Sequence, residues 1–313
     1  MSAVSGDVDD THHAFGDERA PNRALHLGLF VLTLGTTWLA GLSFAGFAIF
    51  DAQTWGTGEA HAGAAAYALP TMAILLTHEL GHYLKGKRHG VVMSWPYFLP
   101  GLPIPGVGVI PLMGTLGAFI KMQMERTSAK ALLEVGAWGP LAGFLVTLPV
   151  FFVGMALSEI EPLPVDVEPA LLGDSLMIVL GEQLFHPSIP EGSDVFLHPL
   201  AMAGWTGGFL TALNLLPIGQ LDGGHISYSV FGEGFNRVAR ILWVGLLVLG
   251  IAIFPGWLLL CGLLYLMSQE HPDLLEGPPA RGKDAWLAWV SLIGVVAWVS
   301  LPWSAIGALG AVT

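Results

Sequence analysis

Residues 64–84 read AAAYALPTMAILLTHELGHYL, and this stretch decides the fold class. It has the length and apolarity of a membrane-crossing helix, which needs about 20 residues. Yet it holds His78, Glu79 and His82 in the order His-Glu-x-x-His, and no other charged residue. Residues four apart share a helix face, so His78 and His82 can hold one metal ion between them. Glu79 lies beside them, where a carboxylate can take a proton from an activated water. A charge at membrane depth costs roughly 2.5–3.5 kcal/mol by insertion scales, so a cluster of ionisable groups there marks a functional site.

Composition agrees with a membrane setting. The chain is 53% hydrophobic and only 12% charged, against about 25% charged in soluble domains. A formal charge of -12 argues against a nucleic-acid partner. The single cysteine, Cys261, excludes an intramolecular disulfide. No secretory signal is visible, and residues 1–24 read as a polar, acidic, disordered cytosolic tail. No internal repeat is evident.

Apolar runs mark further spans at 25–50, 131–157, 196–217, 238–267 (a hairpin about Pro255-Gly256) and 285–309. Residues 95–120 are apolar but dense in Pro and Gly, which a regular helix does not tolerate. They read as a re-entrant loop or hairpin, because irregular backbone at membrane depth persists only where protein or a cavity covers it. Within the acidic loop 158–195, residues 171–185 read as a short interfacial helix. The expected fold is thus an all-α polytopic membrane protein with about six transmembrane helices plus the re-entrant region. One membrane-embedded domain would span 25–313, with a core at about 64–232 and accessory spans at 25–50, 238–267 and 285–309.

Orientation follows from the basic residues. Threading the spans with the N-terminus in the cytosol puts all 12 Lys and Arg on the cytosolic side. The expected location is a cell (inner) membrane. His82 is three residues from Lys85, so roughly 4–5 Å of helix rise separates it from the first cytosolic charge.

Two histidines leave a zinc site short of a third protein ligand. The best candidate is Asp222, in the run Asn214-Leu-Leu-Pro-Ile-Gly-Gln-Leu-Asp222-Gly-Gly-His225. It closes the 196–217 span at the depth of His82, among helix-breaking Pro217, Gly219, Gly223 and Gly224. Asn214 is a candidate for positioning substrate backbone, or else an interhelical hydrogen bond. His225 reads as exposed rather than as support for Asp222, and His198 as interfacial. Gly114 and Gly117 could let backbone approach a strand-like substrate, or form a plain turn.

His78-Glu79-Leu80-Gly81-His82 together with Asn214-x-x-Pro217-x-x-x-Leu221-Asp222-Gly223 resembles the site-2 protease family of intramembrane zinc metalloproteases. Gly139-Pro140-Leu141-Ala142-Gly143 also looks like a family element. The resemblance covers about residues 64–232. It implies one zinc ion per chain held by His78, His82 and Asp222, with Glu79 as general base. It also implies a substrate that is itself a membrane-spanning segment of a protein or peptide, reached within the lipid bilayer. Loop 158–195 is too short for the PDZ domain of many members, so the likeness is to the branch without one. Two other readings are a metal-ion transporter, which would spread acidic or His residues along a path, and a proteolytically inactive membrane scaffold.

Overall fold

The computed structural model describes residues 22–102, 113–123, 127–163 and 175–252, with short pieces between 258 and 288. Seven helices are described: α1 (Arg23–Phe44), α2 (Gly58–Arg88), α3 (Ala129–Ala156), α4 (Leu176–Phe185), α5 (Pro199–Asn214), α6 (Asp222–Phe231) and α7 (Phe235–Ala252). Of these, α1, α2, α3 and α7 are long and apolar enough to cross a membrane. The expected number was about six. The 196–217 span is only the 16-residue α5, because Pro199 opens it and the Leu215–Gly219 turn closes it. It is buried on nearly every side, which is why its sequence is apolar all round. The tail 1–21, most of the second hairpin arm and most of 285–309 lie outside the described residues.

Local chemistry sets the helix ends. Asn22 Oδ1 accepts the Leu25 N–H at 3.2 Å, so α1 begins at Arg23, inside the segment read as tail. Residues 45–50 leave the helix through a turn in which Gly46 has φ +82°. Ser128 Oγ caps α3 by accepting from Ala131 N. The 31 residues of α2 span about 46 Å at 1.5 Å per residue, more than a bilayer's apolar thickness of ~30 Å.

Helix α3 lies centrally, packed on α2, α4, α5 and α6. Small residues let the backbones approach, since lipid offers no hydrophobic drive for helix association. A Cβ on Gly204 of α5 would come within 2.6 Å of Phe151 of α3. Around that crossing Tyr67, Phe151, Met155, Met177 and Trp205 form the largest buried cluster.

The all-α expectation needs correction in the segment between α2 and α3. Its described residues include four short strands: β1 (Val92–Met93), β2 (Tyr97–Pro100), β3 (Thr115–Phe119) and β4 (Met122–Gln123). They pair antiparallel as β1 with β4 and β2 with β3, with Leu99 opposite Gly117. The segment therefore leaves the end of α2 and returns to it. Its depth can be read along α1. His26 Nδ1 lies 3.1 Å from the Pro96 carbonyl, and Thr36 Oγ1 donates to the Gly114 carbonyl at 2.6 Å. Ten residues of α1 separate these contacts, a rise of about 15 Å. At the far end the Tyr67 hydroxyl donates to the Met113 carbonyl at 2.8 Å. A second antiparallel pair, β5 (Glu159–Pro162) with β6 (Ser193–Phe196), forms after α3 and before α5, with α4 between its strands in sequence. The short helix expected at 171–185 is α4.

Candidate metal centre

His78 and His82 sit one turn apart on α2, with ring centres 4.9 Å apart and both side chains buried. Asp222 is the first residue of α6, and its carboxylate faces both rings. His78 Nε2 is 3.0 Å from Oδ2 and His82 Nε2 is 3.2 Å from Oδ1. One donor atom from each residue falls within 4.8 Å of the others.

The glycines around Asp222 make this possible. A Cβ on Gly223 would overlap the Leu215 carbonyl, and one on Gly224 would overlap the Gly219 carbonyl. The start of α6 can therefore tuck under the 215–219 turn and carry its carboxylate toward α2. An acidic residue in the first turn also suits the positive end of the helix dipole.

The donor set fits a cation. Val135 O of α3 lies 2.7 Å from His82 Nδ1 and can only accept, so Nδ1 carries the proton. That leaves Nε2 as the nitrogen facing the Asp222 carboxylate, and a bound cation would take its lone pair. Two imidazole nitrogens and one carboxylate are ligands that zinc takes, leaving a position open for water or substrate. Glu79 is 2% exposed and its Oε2 has no hydrogen-bond partner among the described residues. A buried carboxylate oxygen without a partner is costly, and an incoming proton donor would satisfy it.

Helix α3 completes the site through groups whose role the sequence did not reveal. A Cβ on Gly139 would overlap the His82 ring, and one on Gly143 would lie 3.1 Å from His78 Cβ. The Gly139-to-Gly143 element thus lets α3 lie directly on the two imidazoles. On the rim, Glu134 meets Lys85 Nζ and His89 Nε2, each at 3.2 Å, and Lys85 also lies 4.3 Å from the centre of the Trp138 ring.

An apolar cavity opens on the cluster, bounded by Ile74 and Leu75 of α2, by β3 and by the end of α5. Gly117 and Asn214 are among its lining residues. Gly117 has φ +101° and open space where a side chain would lie. Gly114 does not line it. Its φ is +74°, and a Cβ there would overlap the Thr36 carbonyl, so this glycine serves the packing of the hairpin on α1. His225 is also corrected: it is 5% exposed, with its Cβ against Gly136 of α3. His198 caps α5, accepting the Leu200 N–H at 3.1 Å.

Several curated proteins are similar to this chain. Probable zinc metalloprotease EGY2, chloroplastic, of Oryza sativa subsp. indica is 30% identical over 181 residues, covering 58% of this chain and 32% of that protein. Probable zinc metalloprotease EGY1, chloroplastic, of Oryza sativa subsp. japonica is 33% identical over 216 residues, covering 64% and 34%. Probable zinc metalloprotease EGY3, chloroplastic, of Oryza sativa subsp. indica is 28% identical over 312 residues, covering 90% and 51%. The chain thus spans between about a third and a half of the length of these relatives. No solved structure matches it at a significant level. Residues 66–253, more than half of the chain, match the profile described as Peptidase family M50, and the chain belongs to that family.

Proposed function

We propose that the protein is an intramembrane zinc metalloprotease that hydrolyses a peptide bond within or near the cytosolic end of a transmembrane segment. The observation that carries this reading is the convergence of His78, His82 and Asp222 beside a buried, unpartnered Glu79 oxygen. In the proposal His78, His82 and Asp222 hold one zinc ion and Glu79 is the general base. When bound, zinc polarises the scissile carbonyl and lowers the pKa of water toward about 7.

The residues of the chain supply the rest. Glu79 Oε2 takes a proton from the attacking water and passes it to the leaving nitrogen. Val135 O holds the His82 ring in the tautomer that presents Nε2 to the centre. Strand β3 lines the cavity and, among the described residues, pairs with β2 along one edge only. Its other edge could bind an unwound substrate segment as an added strand, with Gly117 giving it room and Asn214 facing it. The test is cleavage of single-span reporters by the purified protein in detergent. The wild type should cut near the cytosolic end of the reporter's span, and Glu79→Gln should not.

Packing at the site supports a second expectation. Gly139→Ala should press a methyl group into the His82 ring and weaken zinc binding about 10–100-fold, the usual effect of disturbing groups that orient a ligand. Competition with a chelator of known affinity would measure it. Unchanged zinc affinity would mean that α3 does not hold the ring.

The domain and orientation readings belong to the same proposal. Residues 25–313 form one membrane-embedded domain, with the protease-like core at about 64–232 and accessory spans to either side. Residues 85–94 and 121–130 face the cytosol with the N-terminus, and 158–195 lies outside, in a cell membrane. The relatives named above are chloroplastic, which speaks for those proteins. Single-cysteine labelling of intact cells in a Cys261→Ala background should reach loop 158–195 without permeabilisation; labelling only after permeabilisation would reverse the orientation.

A further inference from the structure

An unwound substrate in the cavity has two polar edges, and β3 can pair with only one of them. At membrane depth each unpaired backbone amide costs several kcal/mol. Something must therefore meet the other edge. Apart from the metal-binding residues and Glu79, the cavity has three polar side chains: Thr211, Asn214 and Gln220. The Thr211 hydroxyl already donates to the Gly207 carbonyl at 2.8 Å. Asn214 is half-buried at the end of α5. Gln220 is exposed, and its amide has no hydrogen-bond partner among the described residues.

The backbone holds Gln220 in place. Gly219 takes φ +54° and its carbonyl is pressed against Gly224, so the turn is pinned to the first turn of α6. Gln220 lies two residues before Asp222. Two residues of extended chain reach about 7 Å, which puts any contact within two residues of the bond being cut. A primary amide has two donors and an acceptor oxygen, and so it can answer both the N–H and the C=O of one peptide residue. We propose that the Gln220 side chain is a positioning residue that hydrogen-bonds the substrate main chain on the edge that β3 does not reach.

This inference rests on the proteolytic reading, and binding measurements separate the two. Gln220→Met keeps the length of the side chain and removes the amide. Against a single-span reporter it should lower kcat/KM about five- to tenfold, the effect of one lost neutral hydrogen bond. The loss should fall in KM, with zinc content unchanged. Ester bonds would then replace, one at a time, the amides of the two residues on either side of the scissile bond. At one position the ester should weaken binding about fivefold to Glu79→Gln protein, and less than twofold to protein carrying both Glu79→Gln and Gln220→Met. A merely structural role for Gln220 would lower binding equally at all positions. Equal kcat/KM for wild type and Gln220→Met, zinc loss in the variant, or ester effects that ignore residue 220 would each overturn the proposal. If wild type binds the reporter without cutting it, the proteolytic reading fails while the ester pattern still decides the role of Gln220.

Discussion

Glu79→Gln should lower the cleavage rate of a single-span substrate by about 10²–10⁴-fold, the range for loss of a general base, and leave zinc bound. The two halves of this result come from different features. Glu79 is adjacent to His78 but is not among the three residues whose donor atoms converge. Its Oε2 is buried beside them without a partner among the described residues. Glutamine keeps the volume and one carbonyl oxygen but cannot take a proton at neutral pH. The three proposed zinc donors are untouched, so metal analysis should still find about one zinc per chain. Wild-type rates in Glu79→Gln would remove the metalloprotease reading and bring forward a transport or metal-binding role. Zinc loss in the variant would instead make Glu79 a ligand. An inactive scaffold predicts that the wild type itself cuts nothing.

The legibility of this chain varied with the range of the interaction. His78, Glu79 and His82 were readable because their geometry is local: a helix fixes it within one turn. Asp222 lies 144 residues away from His78, yet it was readable from depth, because the membrane orders residues along one axis. Contacts lateral to that axis were not. Nothing in the spacing tells that Val135 presents its carbonyl to His82, or that Gly139 and Gly143 are the places where α3 touches the two rings. Gly114 and Gly117 show the same limit. Three residues apart in one short motif, they look equivalent, but one faces α1 and the other an open cavity. The strands between α2 and α3 were hidden for another reason. Pro and Gly interrupt the alternation that marks a strand, and pairs of two to five residues leave little pattern to read. The expectation of a re-entrant segment came instead from charge, because with the N-terminus in the cytosol a full crossing would have placed Lys121 and Lys130 outside.

Asp222→Ala should cost zinc itself. In the proposed site the carboxylate is one of three protein donors, and it comes from α6, away from the two histidines on α2. Without it, two imidazoles on one helix remain, and two-residue sites hold zinc poorly against buffer and chelators. Disturbing an orienting group weakens such sites about 10–100-fold, so removal of a ligand should exceed ~100-fold, and the purified variant should retain little metal. The helices should still assemble, because α6 is seated by Gly223 and Gly224 under the 215–219 turn and not by the carboxylate. A circular-dichroism spectrum and thermal transition close to those of chelator-treated wild type would show this. Asp222→Asn refines the test, since it keeps the shape and an oxygen donor but removes the charge; it should fall between wild type and alanine in zinc affinity. Both variants should be inactive, as Glu79→Gln is, but only these two through loss of metal. Added zinc should therefore partly restore Asp222→Asn and leave Glu79→Gln unchanged. Full zinc occupancy in Asp222→Ala would show that the third ligand lies elsewhere, and the convergence of His78, His82 and Asp222 would then be a buried ion pair and not a metal centre.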